Sequence, residues 1–148
     1  MQHGIRVTQT VILAAGSGSR LAPARGDVPK PLMTVAGVPR VAYGGQGGLL
    51  DVALDGAFAT NRQLYLCYSE PGAGGNSTAL ARARLADDSR SLQDLRVIFR
   101  QSPKVDSRAH FGCRIVEAPD GHLFLTLGER ASRMQDSQTL DNHHGKVV

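Results

Sequence analysis

Between residues 49 and 127 the chain is a succession of short apolar runs separated by turn signals, which constrains it more than any single motif does. Residues 49–54, 63–68, 78–85 and 95–100 read as four strands within about fifty residues, each four to eight residues long in the manner of sheet segments. Residues 113–118 and 122–127 follow, flanking Pro119-Asp120-Gly121, a strong hairpin turn. The run 78–85 places Arg82 and Arg84 on one face of a half-exposed strand. A helical reading would need a sustained 3.6-residue period, and only residues 77–85 hint at one. With 17 Gly and 7 Pro in 148 residues, the composition also favours turns over a helical bundle.

A faint internal repeat supports a modular sheet. Gly48-Leu49-Leu50-Asp51-Val52 lies opposite Gly112-Cys113-Arg114-Ile115-Val116 at a shift of 64 residues. Each copy runs from glycine into a strand, a turn (Asp55-Gly56, then Asp120-Gly121) and an apolar strand. Four strands followed by the start of another set is the spacing of consecutive propeller blades. The expected fold is therefore mainly β: an incomplete β-propeller of one blade and the start of a second.

Composition excludes several functional classes. No apolar run approaches the roughly 20 residues that span a bilayer, so no membrane span is expected. Trp is absent and aromatics make up 5%, which argues against a base-stacking platform. The net charge of +4 comes mostly from Arg scattered from Arg6 to Arg133, a solvated surface rather than a nucleic-acid footprint. Cys67 and Cys113 show neither C-x-x-C nor metal-ligand spacing, and buried free thiols are expected for both. The apolar run at residues 11–15 is too short for a convincing export signal.

The N-terminal segment has a different character. Residues 9–16 read as a buried strand feeding the turn Gly16-Ser17-Gly18-Ser19-Arg20, and Pro29-Lys30-Pro31-Leu32 follows. Such a loop presents backbone N–H groups to phosphate, with Arg20 and Lys30 as charge partners. It is neither a Walker A loop nor G-x-G-x-x-G, because the Gly-Lys-Ser/Thr ending and the third glycine are missing. The segment resembles the signature of sugar-phosphate nucleotidyltransferases. That resemblance implies an α/β-like leader over residues 1–40, with Gly16, Gly18, Arg20 and Lys30 binding a nucleoside triphosphate with Mg²⁺. The bland reading is a surface turn tethered by a Pro-rich segment. Residues downstream lack the alternating strands and helices that this family's metal-binding Asp requires.

A second resemblance covers residues 38–148. Its carriers include Gly45-Gln46-Gly47-Gly48-Leu49-Leu50-Asp51-Val52-Ala53-Leu54-Asp55, Asn61-Arg62 and Val97-Ile98-Phe99-Arg100-Gln101. His110-Phe111-Gly112, Ala118-Pro119-Asp120-Gly121, Thr126-Leu127-Gly128-Glu129-Arg130, and His143 with Gly145-Lys146-Val147-Val148 continue the series. In this order they resemble soluble glucose/sorbosone-type aldose dehydrogenases, six-bladed propellers that use pyrroloquinoline quinone (PQQ) and Ca²⁺.

The resemblance implies that His110 is the base taking the sugar hydroxyl proton while hydride leaves C1 for the quinone. An imidazole suits that role, since its neutral nitrogen accepts a proton near pH 7. Glu129 stands where the family has an acidic residue orienting that histidine, and Gln46 matches a glutamine near the quinone. Without the resemblance, a lone histidine between Ala109 and Phe111 reads as a structural or surface residue. His143-His144 is not read as a metal site, because adjacent side chains usually diverge. Asn76-Ser77-Thr78 fits a glycosylation sequon, and its Gly-rich surroundings fit a simple turn equally well.

Departures from the family pattern are Gly56-Ala57 in place of Pro-Asp, Cys113 in place of a small residue, Thr139 and His144. Glu117 takes an apolar strand position, where a buried unpaired carboxylate would be costly. The expected organisation is a leader at 1–40 and a partial dehydrogenase propeller at 41–148. The expected substrate is an aldose, with turnover absent in the isolated chain. The alternatives are a nucleotidyltransferase remnant, or a non-enzymatic fragment that self-associates through open strand edges. Family resemblance points to the periplasm, whereas the N-terminus points to the cytoplasm.

Overall fold

A computed structural model describes residues 36–148. Strand β1 (Leu49–Leu54) leads through the single-turn helix α1 (Phe58–Asn61) into β2 (Gln63–Gly72), and β3 (Gly75–Leu85) and β4 (Leu92–Arg100) follow. These four form one antiparallel sheet in sequence order, β1-β2-β3-β4. Strands β5 (Gly112–Glu117) and β6 (Leu123–Leu127) open a second antiparallel sheet. The C-terminal residues add to β6: Leu127 N–H donates to Lys146 O and Leu125 N–H to Val148 O, both at 2.8 Å. The molecule is thus mainly β, with one four-stranded blade and the beginning of the next, as the strand spacing predicts.

The first strand runs over the residues expected, but β2 and β3 extend well past theirs. Pairing continues through Glu70↔Ser77 and Pro71↔Asn76 to Gly72↔Gly75. Backbone ladders need no apolar side chains, so a polar, turn-like composition hides those last rungs.

Side-chain alternation along β2 builds two cores from one strand. Tyr65 and Cys67 point toward the second sheet and pack with Leu80, Cys113, Ile115, Leu125 and Leu127. Leu64, Leu66 and Tyr68 point to the opposite face, against Ala79, Ala81, Ala83 and Leu85. Small alanines on β3 let this face pack closely, and β2 is buried on both sides as a central strand should be.

One expectation is corrected here. Cys67 on β2 and Cys113 on β5 are not free thiols but a disulfide joining the two sheets, with Cα atoms 6.4 Å apart. Their separation of 46 residues carries no pairing signal. Only the packing of β5 over β2 brings them face to face. On the chain-entropy model, a loop of this length is worth about 4 kcal/mol against the unfolded state.

The sheets are also joined by Asp51, whose Oδ2 accepts the Ile115 backbone N–H at 2.9 Å. Glu117 is half-buried but not unpaired: its Oε2 accepts the Gly56 N–H at 2.9 Å. The departures at positions 56 and 117 therefore meet each other.

Candidate active site

Three separate segments converge where the second sheet begins. The loop before β5 carries His110, the turn after β6 carries Glu129, and the glycine-rich segment before β1 carries Gln46. His110 Nδ1 lies 2.5 Å from Glu129 Oε1, and the His110 backbone N–H donates to Gln46 Oε1 at 2.8 Å. His110 is therefore in direct contact with both Glu129 and Gln46. Gly16, Gly18, Arg20 and Lys30 lie outside the described residues.

Local backbone shape makes this convergence possible. His110 (φ 47°), Arg130 (φ 63°) and Ala131 (φ 59°) all adopt the left-handed conformation, which non-glycine residues rarely take. Each such residue costs on the order of 1–3 kcal/mol, so the surrounding structure must over-determine it. Gly128 is required between them, because a Cβ there would collide with the His110 carbonyl oxygen. Gly45, with φ 59°, likewise lets the Gln46 loop pass against the Arg108 carbonyl, which accepts the Gln46 N–H at 2.8 Å.

The electrostatics tie the Glu129 carboxylate to the His110 ring. The hydrogen bond from the His110 ring, followed by backbone N–H groups, holds the Glu129 carboxyl below its ordinary range. An ionised Glu129 keeps the proton of neutral imidazole on Nδ1, leaving Nε2 as the acceptor. Among the described residues Nε2 has no partner, and the side chain is 51% exposed. A group reaching that face therefore meets an available basic nitrogen.

Sequence reasoning passed over the residue that frames this site. Among the described residues Arg130 is the largest fully buried side chain, and its guanidinium lies 3.7 Å from the centre of the Phe111 ring. Its donors reach Ala109 O at 3.1 Å, Ser107 O at 2.7 Å, Asn76 O at 3.0 Å and Asn76 Oδ1 at 2.6 Å. Burial lowers its pKa to about 10, so it stays charged at neutral pH. Its place beside Glu129 was visible in the sequence, but its burial was not. Asn76 is thereby committed to a core contact rather than displayed in an open turn.

The two other flagged histidines diverge. His143 Nδ1 accepts the Ser102 N–H at 3.0 Å and its ring stacks at a tilt on Phe99. His144 is buried, with Nδ1 2.9 Å from Asp136 Oδ2 and Nε2 3.2 Å from Pro103 O. Among the described residues no group of three or more His, Cys, Asp or Glu is placed to hold a metal ion, so no calcium ligand is assigned. No helix among them is long and apolar enough to cross a membrane.

Comparison with known proteins supplies the wider context. Residues 11–148 match the family described as Glucose / Sorbosone dehydrogenase. The aldose sugar dehydrogenase YliI of Escherichia coli K12 is 46% identical over 115 residues, covering 77% of this chain and 31% of its own. The crystal structure of the soluble E. coli aldose sugar dehydrogenase in its apo form superposes with a TM-score of 0.73, over 77% of this chain and 33% of its own, at 46% identity. A PQQ-bound aldose sugar dehydrogenase from Streptomyces coelicolor gives a TM-score of 0.65 at 27% identity, over the same shares. The chain thus spans about a third of the length of these relatives.

Proposed function

Because the chain belongs to the glucose/sorbosone dehydrogenase family, we propose that its described part handles the proton in a quinone-dependent oxidation of aldose sugars. The observation that carries this reading is the His110–Glu129 contact at 2.5 Å, with the His110 side chain 51% exposed and its backbone N–H held by Gln46. His110 Nε2 accepts the C1 hydroxyl proton as the C1–H electrons leave as hydride and a C1 carbonyl forms, giving the lactone. Glu129 orients the ring and stabilises the imidazolium produced, in the way a buried carboxylate serves a catalytic histidine.

The donor set suits a quinone. The Gln46 amide nitrogen, without a partner among the described residues, can donate to a carbonyl oxygen, while Oε1 stays fixed on His110. PQQ, when bound, supplies the two-electron acceptor, and the protein supplies position and proton transfer. Complete turnover is not assigned to these 148 residues, since the matched part covers only 31% of the E. coli relative and 33% of its crystal structure. Self-association through the open edges of β1 and β4 is an accompanying proposal.

The test is titration of the chain with PQQ, with and without Ca²⁺, followed by NMR amide shifts. Perturbation centred on Gln46, His110 and Glu129, and abolished in Gln46→Ala, supports the reading. Perturbation elsewhere, or none, overturns it. Dye-linked aldose oxidation by the chain alone, lost in His110→Ala, would overturn the limit on turnover.

A further inference from the structure

We propose that Arg130 is a positioning residue for His110, holding the 107–111 loop so that the imidazole meets Glu129. This deepens the reading above and rests on it for its catalytic meaning, though not for its geometry. Arg130 is wholly buried, yet every donor it uses goes to a neutral oxygen: Ser107 O, Ala109 O, Asn76 O and Asn76 Oδ1. A buried charge without a carboxylate partner is a costly way to fill space, and an apolar residue of similar volume would serve packing better. What the guanidinium adds is a rigid planar fork able to seize several carbonyls at fixed angles.

Part of that fork grips the loop that carries His110. Two of the four acceptors are at positions 107 and 109, and the plane of Phe111 lies under the guanidinium at 3.7 Å. The Arg130 main chain closes the clamp: its N–H donates to His110 O at 3.1 Å, and its carbonyl accepts the Ser107 hydroxyl at 2.6 Å. Glu129 immediately precedes Arg130, so one short segment grips the histidine loop and presents the carboxylate. The far end is anchored on β3, since Asn76 also exchanges backbone hydrogen bonds with Val105 at 3.0 and 3.1 Å. The left-handed backbone at His110 and at Arg130 is the strain that such a clamp sustains.

The experiment reads the His110 Nδ1 proton by NMR in the full chain, without quinone or sugar, so failure of the catalytic reading leaves it interpretable. In Arg130→Met the Glu129-bonded Nδ1 resonance is expected to vanish and the His110 amide to exchange at least tenfold faster. Ile115→Ala, a core truncation between the sheets, is expected to leave both unchanged. A cooperatively melting Arg130→Met chain with both signals intact overturns the proposal. So does loss of both signals in Ile115→Ala, which would make the effect generic. If Arg130→Met does not fold, Arg130→Lys and Asn76→Ala decide by the same signals: loss in a cooperatively melting chain supports the clamp, and retention in both overturns it.

Discussion

Asp51 and Ile115 hold the same place in the two copies of the 64-residue repeat, and Oδ2 of the first accepts the backbone N–H of the second at 2.9 Å. The equivalence visible along the chain is thus a contact in space, because successive sheets stack with their first strands side by side. Asp51 also receives Arg114 Nη1 at 3.4 Å, an exposed and weaker contact. Replacing Asp51 by Ala leaves the Ile115 N–H without its acceptor, and the expected loss is about 1–3 kcal/mol. Asp51→Asn keeps an oxygen acceptor and should lose less. Urea denaturation of the two variants checks the order; equal losses would show that charge, not the hydrogen bond, joins the sheets.

The Cys67–Cys113 disulfide ties the same two sheets a few residues away. Cys67→Ala with Cys113→Ala, or reduction of the native chain, should lower stability by about 2–4 kcal/mol. Denaturation with and without reductant measures this directly. Two free thiols in the unreduced, unfolded chain would contradict the pairing.

Acid should weaken the β1–β2 connection in a way that depends on Asp55. Its carboxylate accepts from Asn61 Nδ2, Ala57 N–H, Tyr65 OH and Gln63 Nε2, and the first two chiefly lower its pKa to about 2 from the usual 3.8. A carboxyl with a depressed folded pKa binds its proton more readily in the unfolded chain. Its contribution is therefore complete above about pH 4 and is lost as pH falls toward 2. Asp55→Ala should be less stable at pH 6 and show a flatter stability profile between pH 4 and 2. Parallel profiles for the two chains would remove Asp55 from the acid response.

At the candidate site, Gln46→Ala removes the acceptor of the His110 N–H. One net hydrogen bond is worth about 1 kcal/mol, so exchange of that amide should accelerate roughly five- to tenfold. The fold should persist, because Gln46 is exposed and its own N–H stays on the Arg108 carbonyl. Hydrogen exchange by NMR resolves this, and an unchanged His110 amide would argue that the Gln46 contact does not hold in solution.

How far the chain itself discloses this arrangement differs from residue to residue. The strands, the hairpin at Pro119-Asp120-Gly121 and the blade-like grouping follow from alternation and turn chemistry, which are local properties. His110, Glu129 and Gln46 were legible through family resemblance, and the fold brings Glu129 and Gln46 each within hydrogen-bond reach of His110. The Cys67–Cys113 bond, the Glu117–Gly56 contact and the burial of Arg130 were not legible. Each joins segments tens of residues apart, and no periodicity along the chain records which faces will meet. By itself the sequence determined which segments become strands, where they turn and which side chains bring chemistry. The tertiary structure alone decided which of them touch, because sheet stacking sets the distances and burial on which pairing, charge and proton transfer depend.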